Sequence, residues 1–167
     1  GAVGCTFSNV AWNGTTYTAS IVFPFRVSDA NTTKGVMISS FKNDANKFLW
    51  RAVGTNITGQ KSAEADSENY HWAIYPAFND GSFTFTIKNI GTGKYIYSTS
   101  DANSHNQGAV VLADEGSAFT LEANNKFKLS TGKFLSMNST TTANEQYVGT
   151  WGDHGGTYNK FYDCPVK

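Results

Sequence analysis

The chain has 167 residues, 13 of them basic and 13 acidic, for a formal net charge of zero. Charge balance without a basic cluster excludes the electrostatic footprint of a nucleic-acid binder, and no apolar run approaches the roughly 20 residues that a membrane-spanning helix needs. Charged residues are only 16% and aromatics 14%, beside abundant Gly, Ser, Thr and Asn. That composition belongs to strands and turns, because aromatic and β-branched side chains fit a pleated, half-buried surface. The length suits one domain with a real core.

In chain order, the first 35 residues read as an extension. Thr15–Val22 follows an Asn13-Gly14 turn and reads as an edge strand. Phe23–Ser28 reads as a short strand that Pro24 confines to an edge or a strand start, since proline cannot donate to a ladder. Trp12 sits on this approach, either free or covering the base of the fold. From Val36 onward the pattern is strand and turn throughout. Strands are expected at Val36–Ser39, Lys47–Val53, weakly at Thr58–Ala63, and at His71–Tyr75. A second set follows at Ser82–Lys88, Lys94–Ser98, Ala109–Leu112 and Phe119–Glu122. The third comprises Lys126–Ser130, Lys133–Met137, Gln146–Trp151 and Tyr158–Cys164. Ser82–Lys88 alternates apolar and polar residues with period two, as a half-buried strand does, and no segment keeps a helical period.

One hairpin element recurs. Lys47-Phe-Leu-Trp50, Lys94-Tyr-Ile-Tyr97 and Lys133-Phe-Leu-Ser136 each place a lysine, an aromatic and an aliphatic residue after a tight turn, with the lysines 47 and 39 residues apart. A period near 40 with short strands marks an internally repeated fold. A single four-stranded unit cannot bury its apolar face, but three units around an axis share one core and remove open sheet edges. The expected architecture is all-β, with twelve strands in three pseudo-symmetric repeats (36–79, 80–124 and 125–164) after the extension 1–35. Leu49, Ile96 and Leu135 are expected to point into the shared core.

With these hairpins, and with Trp72, Phe119 and Phe161 in the closing strands, the chain resembles a β-trefoil of the ricin-B type over residues 36–164. It is also similar to trefoil modules appended to secreted carbohydrate-degrading enzymes of gut bacteria, through Pro24–Ser28 and the Trp151-Gly-Asp-His-Gly-Gly156 segment. The resemblance implies a non-catalytic, lectin-like module that binds glycan, outside the cytoplasm (periplasmic, cell-surface or secreted), as a monomer and without a cofactor. A ricin-type site wants an Asp just after the Lys-aromatic-aliphatic step. This chain has Trp50, Tyr97 and Ser136 there, so the family's acidic contact is absent.

The best candidate site is Trp151 with Asp153 and His154, where an indole face, a carboxylate and an imidazole on a Gly-rich turn suit a polyol. The alternative is a structural turn, with Trp151 packed inward and Asp153 bonding its own backbone. Ser136 and Asn159 extend this candidate surface. Trp50 is a second candidate platform, against the reading that it covers the barrel end or packs under the long loop that follows. Tyr97, with Asp101, His105 and Asn106 in the following loop, is a third, against a solvated polar loop. Cys5 and Cys164 lie at opposite ends of the chain; a disulfide between them and two separate thiols are both open.

Catalysis is not expected. His71, His105 and His154 are far apart, none has metal-ligand spacing, and no nucleophile elbow or phosphate-binding loop occurs. A protein-interaction or structural trefoil without a sugar site is the main alternative, because a fold does not fix a function. A small hydrolase would need a pocket with convergent carboxylates.

Overall fold

The computed structural model describes residues 6–40, 47–61, 66–139 and 142–165. The first two strands, β1 (Thr6–Trp12) and β2 (Tyr17–Val22), form an antiparallel two-stranded sheet of their own. β2 matches the expected edge strand; β1 had no alternating pattern to betray it. Their turn is held by Asn13, whose Oδ1 accepts the backbone N–H groups of Thr15 (3.0 Å) and Thr16 (2.8 Å).

Phe23–Ser28 is not a strand. It is a strap pinned at its end: the Ser28 N–H donates to the Ile74 carbonyl (2.7 Å), and the Ile74 N–H donates to Ser28 Oγ (3.1 Å). Pro24 removes a donor, and the aromatic pair around it turns inward instead. Phe25 packs edge-on against Phe161 at 4.8 Å and Phe85 at 5.3 Å.

Thirteen further strands follow among the described residues. β3 (Val36–Ser40), β4 (Phe48–Val53), β5 (Asn56–Gln60), β6 (Trp72–Asn79), β7 (Ser82–Asn89), β8 (Tyr95–Tyr97) and β9 (Val111–Ala113) make a ring in the order β5-β4-β3-β6-β7-β8-β9. The ring closes where β9 meets β5, through Asn56 opposite Val111 and the Leu112 N–H donating to the Thr55 carbonyl (2.8 Å). β10 (Thr120–Glu122), β11 (Lys126–Lys128), β12 (Phe134–Ser136) and β14 (Gly149–Trp151) form a four-stranded sheet, joined to the ring where Phe85 pairs with Phe119. β15 (Asn159–Asp163) pairs along β3. The expected strand Gln146–Trp151 is divided in two: β13 (Glu145–Tyr147) pairs with β5, and β14 with β12.

The core is aromatic. Phe127 is fully buried and lies 5.9 to 6.4 Å from the rings of Phe161, Phe119, Phe25 and Trp50. Two indoles are buried without stranding their N–H groups, since Trp50 Nε1 donates to Ser40 Oγ (2.8 Å) and Trp72 Nε1 to the Trp50 carbonyl (3.1 Å).

The register of the first hairpin differs from the sequence expectation. Ser39 lies opposite Leu49, Lys88 opposite Tyr95, and Lys128 opposite Phe134. The residues immediately before these, Ile38, Ile87 and Phe127, all face the core, so the three pairs are equivalent. The residues that share the core position are therefore Trp50, Ile96 and Leu135, each fully buried. Leu49 packs instead into a separate cluster with Met37, Tyr70 and Cys164. A one-residue slip moves every side chain of a strand to the other face. Trp50 is thereby core, not a binding platform, and Arg51 takes the position matched to Tyr97 and Ser136. Cys164 is buried as a free thiol; Cys5, the other half of the disulfide reading, lies outside the described residues.

Phe127→Ala is expected to cost about 3–5 kcal/mol, because the cavity would sit where four rings meet. Phe78→Ser, at a side chain 61% exposed on the β6–β7 hairpin, is expected to stay within about 0.5 kcal/mol. Urea denaturation of the two variants checks both.

Candidate functional site

The strands β12 and β14 run antiparallel, with Phe134 opposite Trp151, Leu135 opposite Thr150 and Ser136 opposite Gly149. Leu135 fills the core, and this pairing sets Ser136 and Trp151 near each other on the outer side. After Trp151 the chain turns through Gly152 and Asp153 into a short 3₁₀ turn, Gly155–Thr157, with His154 as its N-cap. The cap is specific: the Gly156 N–H donates to His154 Nδ1 (3.2 Å), and Thr157 Oγ1 donates to the His154 carbonyl (2.7 Å).

A second segment completes the site from a distant part of the chain. The loop between β8 and β9 lies along β14 as a strap. Ser104 and Thr150 exchange backbone hydrogen bonds at 2.8 and 2.9 Å, and Thr150 Oγ1 donates to the Ala102 carbonyl (2.8 Å). Asn103 Oδ1 accepts from Lys133 Nζ (2.9 Å) and the Gly152 N–H (3.0 Å). Gly149 makes this approach available, since a Cβ there would overlap the Ser104 carbonyl oxygen. The strap delivers His105 onto the Trp151 indole, with ring centroids 4.6 Å apart and planes 7° from parallel.

Both imidazoles then meet one hydroxyl. Ser136 Oγ lies 2.9 Å from His105 Nε2 and 2.7 Å from His154 Nε2. The Gly156 N–H occupies Nδ1 of His154, so the neutral ring carries its proton on Nε2 and donates it to Ser136 Oγ. The Ser136 hydroxyl in turn donates to Nε2 of His105. Burial, reinforced by the adjacent His154, pushes the His105 pKa down to about 4. Burial also lowers His154, against the opposing pull of Asp153. Both rings are held neutral near pH 7 by their surroundings.

His105, Asn138, Ser139, Trp151 and His154 line an open concavity of about 350 Å³, with Trp151 36% exposed at its edge. Among the described residues, no lining side chain is a carboxylate, lysine or arginine. Among the described residues, no group of three His, Cys, Asp or Glu side chains is placed to hold a metal ion.

The sequence-predicted residues divide. Trp151 and His154 are at the concavity. Ser136 lies beneath it, fully buried, as the shared hydrogen-bond partner. Asp153 is turned away from it: its carboxylate accepts from Lys126 Nζ (2.7 Å) and Thr157 Oγ1 (3.3 Å), and the Lys126 contact holds it below the usual carboxylate range. Asn159 is buried inside the fold, exchanging amide–carbonyl hydrogen bonds with Asn125 (2.8 and 3.2 Å) and bonding Ser40, so it cannot reach a ligand. Trp50 is in the core, as described above. Tyr97 is 40% exposed beside a different hollow, which it lines with Ser98, Ser100 and Val111. His105, expected near Tyr97, belongs to the Trp151 site instead, and Asn138 and Ser139, which were not expected at a binding site, join it.

No protein-family model matches the sequence, and no curated protein matches it either. Solved structures do match. The Rhizoctonia solani agglutinin is similar over 81% of this chain and 99% of its own, at 21% identity and a TM-score of 0.57. A designed 3-fold symmetric protein, ThreeFoil, is similar over 77% of this chain and 97% of its own, at 12% identity and a TM-score of 0.58. The PSL1a-E64 complex matches over 79% of this chain and 48% of that one, at 18% identity and a TM-score of 0.53. At these identities the likeness establishes the fold alone, a β-trefoil.

A histidine whose pKa is lowered on folding takes up a proton more readily when unfolded. Its contribution to stability is therefore complete above the unfolded value, near 6.5, and is lost as pH falls toward the folded value of about 4. The melting temperature is expected to decline by on the order of several °C between pH 6.5 and 4, and His105→Gln to flatten that decline. Thermal unfolding followed by circular dichroism across this range measures both.

Proposed function

We propose that this chain is a non-catalytic carbohydrate-binding module, and that the concavity beside Trp151 receives an uncharged sugar. The single observation that carries the reading is a half-exposed indole at the edge of a 350 Å³ hollow whose polar lining bears no formal charge. An indole offers a flat apolar face to the C–H side of a pyranose, and the amide, hydroxyl and imidazole groups around it match the mixed donors and acceptors of sugar hydroxyls. The agglutinin among the structural neighbours supports the same reading. The binding set in this proposal is Trp151, His154, His105, Asn138 and Ser139, with Ser136 holding the two imidazoles. Asp153 acts one step removed, through Lys126 and Thr157.

The module would comprise three degenerate hairpin repeats over 36–164 behind the extension 1–35. It would act as a monomer outside the cytoplasm, alone or attached to a glycan-degrading protein. The buried position of Ser136 argues against a hydrolase, because its hydroxyl is sealed between two imidazoles and no carboxylate faces it. A protein-docking role has one observation in its favour, the exposed Phe78 beside Phe83 on the β6–β7 hairpin, with ring centroids 4.9 Å apart.

A glycan array probed with the full chain tests the proposal. Binding to at least one neutral glycan is expected, reduced tenfold or more by Trp151→Ala and little changed by Phe78→Ser. A tenfold loss corresponds to about 1.4 kcal/mol, within reach of one lost stacking contact. Binding that survives Trp151→Ala removes the site, and binding abolished by Phe78→Ser favours the docking surface.

A further inference from the structure

We infer that the Trp151 site is acid-labile: it holds its ligand while His105 and His154 are both neutral and releases it when they take up protons. The inference rests on the carbohydrate-binding reading above. It follows from the direction of the hydrogen bonds, because each acceptor nitrogen that a proton would occupy is already facing a donor.

On His154 the free lone pair is at Nδ1, and the Gly156 N–H points at it from 3.2 Å. Protonation there sets two N–H groups against each other, leaves the Ser139 hydroxyl at a long 3.4 Å to accept the new proton, and costs the Gly155–Thr157 turn its cap. Gly156 is held in place, since the Met137 N–H donates to its carbonyl (2.9 Å) and its α-carbon lies so close to the Met137 carbonyl that a Cβ there would overlap it. On His105 the lone pair is at Nε2, which accepts from Ser136 Oγ at 2.9 Å. Protonation there reverses the bond, and the displaced Ser136 proton has only the Met137 carbonyl at 3.4 Å, a poor geometry for an O–H donor. With both rings charged, two cations sit with centroids 5.9 Å apart in a half-buried site.

The surrounding charges do not cancel this. Among the described residues, Asp153 is the one carboxylate bearing on the pair. It favours the charged form of His154, but its own charge is engaged by Lys126 Nζ at 2.7 Å. The loop that carries His105 also carries one carboxylate, the exposed Asp101, and is held by a cation, Lys133, through Asn103. Ser136, Trp151, Asn138 and Ser139 contribute no charge. Relief comes by the rings swinging out toward solvent, which takes His105 off Trp151 and breaks the wall of the concavity. The lowered pKa values place this transition below pH 6.5, extending toward 4.

The test uses the full chain and the best glycan from the array, titrated at pH 7.4, 6.0, 5.0 and 4.5. Far-UV circular dichroism at each pH confirms that the chain is folded. Imidazole ¹⁵N and Trp151 indole resonances are followed over the same range. Affinity is expected to fall at least tenfold between pH 7.4 and 4.5, with the Trp151 indole resonance shifting in step with the His105 and His154 signals. His105→Phe keeps a ring on Trp151 but cannot be protonated, and is expected to reduce the ratio of affinities at the two pH values to threefold or less, whatever its affinity at pH 7.4. Unchanged wild-type affinity at pH 4.5 in a folded chain overturns the inference, as does the same pH ratio in His105→Phe. If no glycan binds at pH 7.4, the carbohydrate reading fails and release fails with it. The NMR titration then separately shows whether the Trp151 wall opens in acid.

Discussion

The structure depends on the burial of a cluster of aromatic rings that no single hairpin could cover. Phe127 lies against rings from the Phe23–Ser28 segment, from β4, from Phe119 and from β15, so the cluster draws on distant parts of the chain. Burying rings of this size dominates the favourable side of folding for a chain with few charges. Closure of the sheet through β5 and β9 is the geometric counterpart: it lets each strand offer one face to the shared interior and leaves few unpaired edges in the ring.

That same alternation explains where the functional groups lie. On β12, Leu135 satisfies the interior, which sends Ser136 to the outside, where a hydroxyl would ordinarily meet water. The strap and the turn after β14 cover it, and their two imidazoles replace the lost solvent contacts. A buried hydroxyl without partners would be costly. Satisfying it with groups that can change charge makes the arrangement stable near neutrality and sensitive to protons. The rim of the concavity is therefore built from groups whose first task is to complete the fold.

Much of this was legible in the sequence, and the failures have identifiable causes. The period-two pattern of Ser82–Lys88 and the Lys-aromatic-aliphatic hairpins marked the strands because burial imposes alternation. The Trp151–Gly156 segment was recognisable because Gly, Asp and His together rarely serve a plain strand. The register of β4 was not legible. Phe48, Leu49 and Trp50 are all apolar, so the pattern did not say which of them face the core, and the lysine alignment chose the wrong parity. Asp153 misled for a related reason: a carboxylate next to an exposed indole reads as a ligand contact until Lys126, far away in sequence, claims it. The strap could not be foreseen, because Ser104 meets Thr150 through backbone groups that carry no side-chain signature.

The close approach at Gly149 has an evolutionary and practical consequence. Because the ring that leans on Trp151 is carried by the loop between β8 and β9, the hollow is not built by the β12–β14 segment alone. Duplicating the β12–β14 segment by itself would copy the indole and the shared hydroxyl but not the arm that buttresses them. Moving the hollow to another scaffold requires both segments and the small residue at their seam, transferred together as one part.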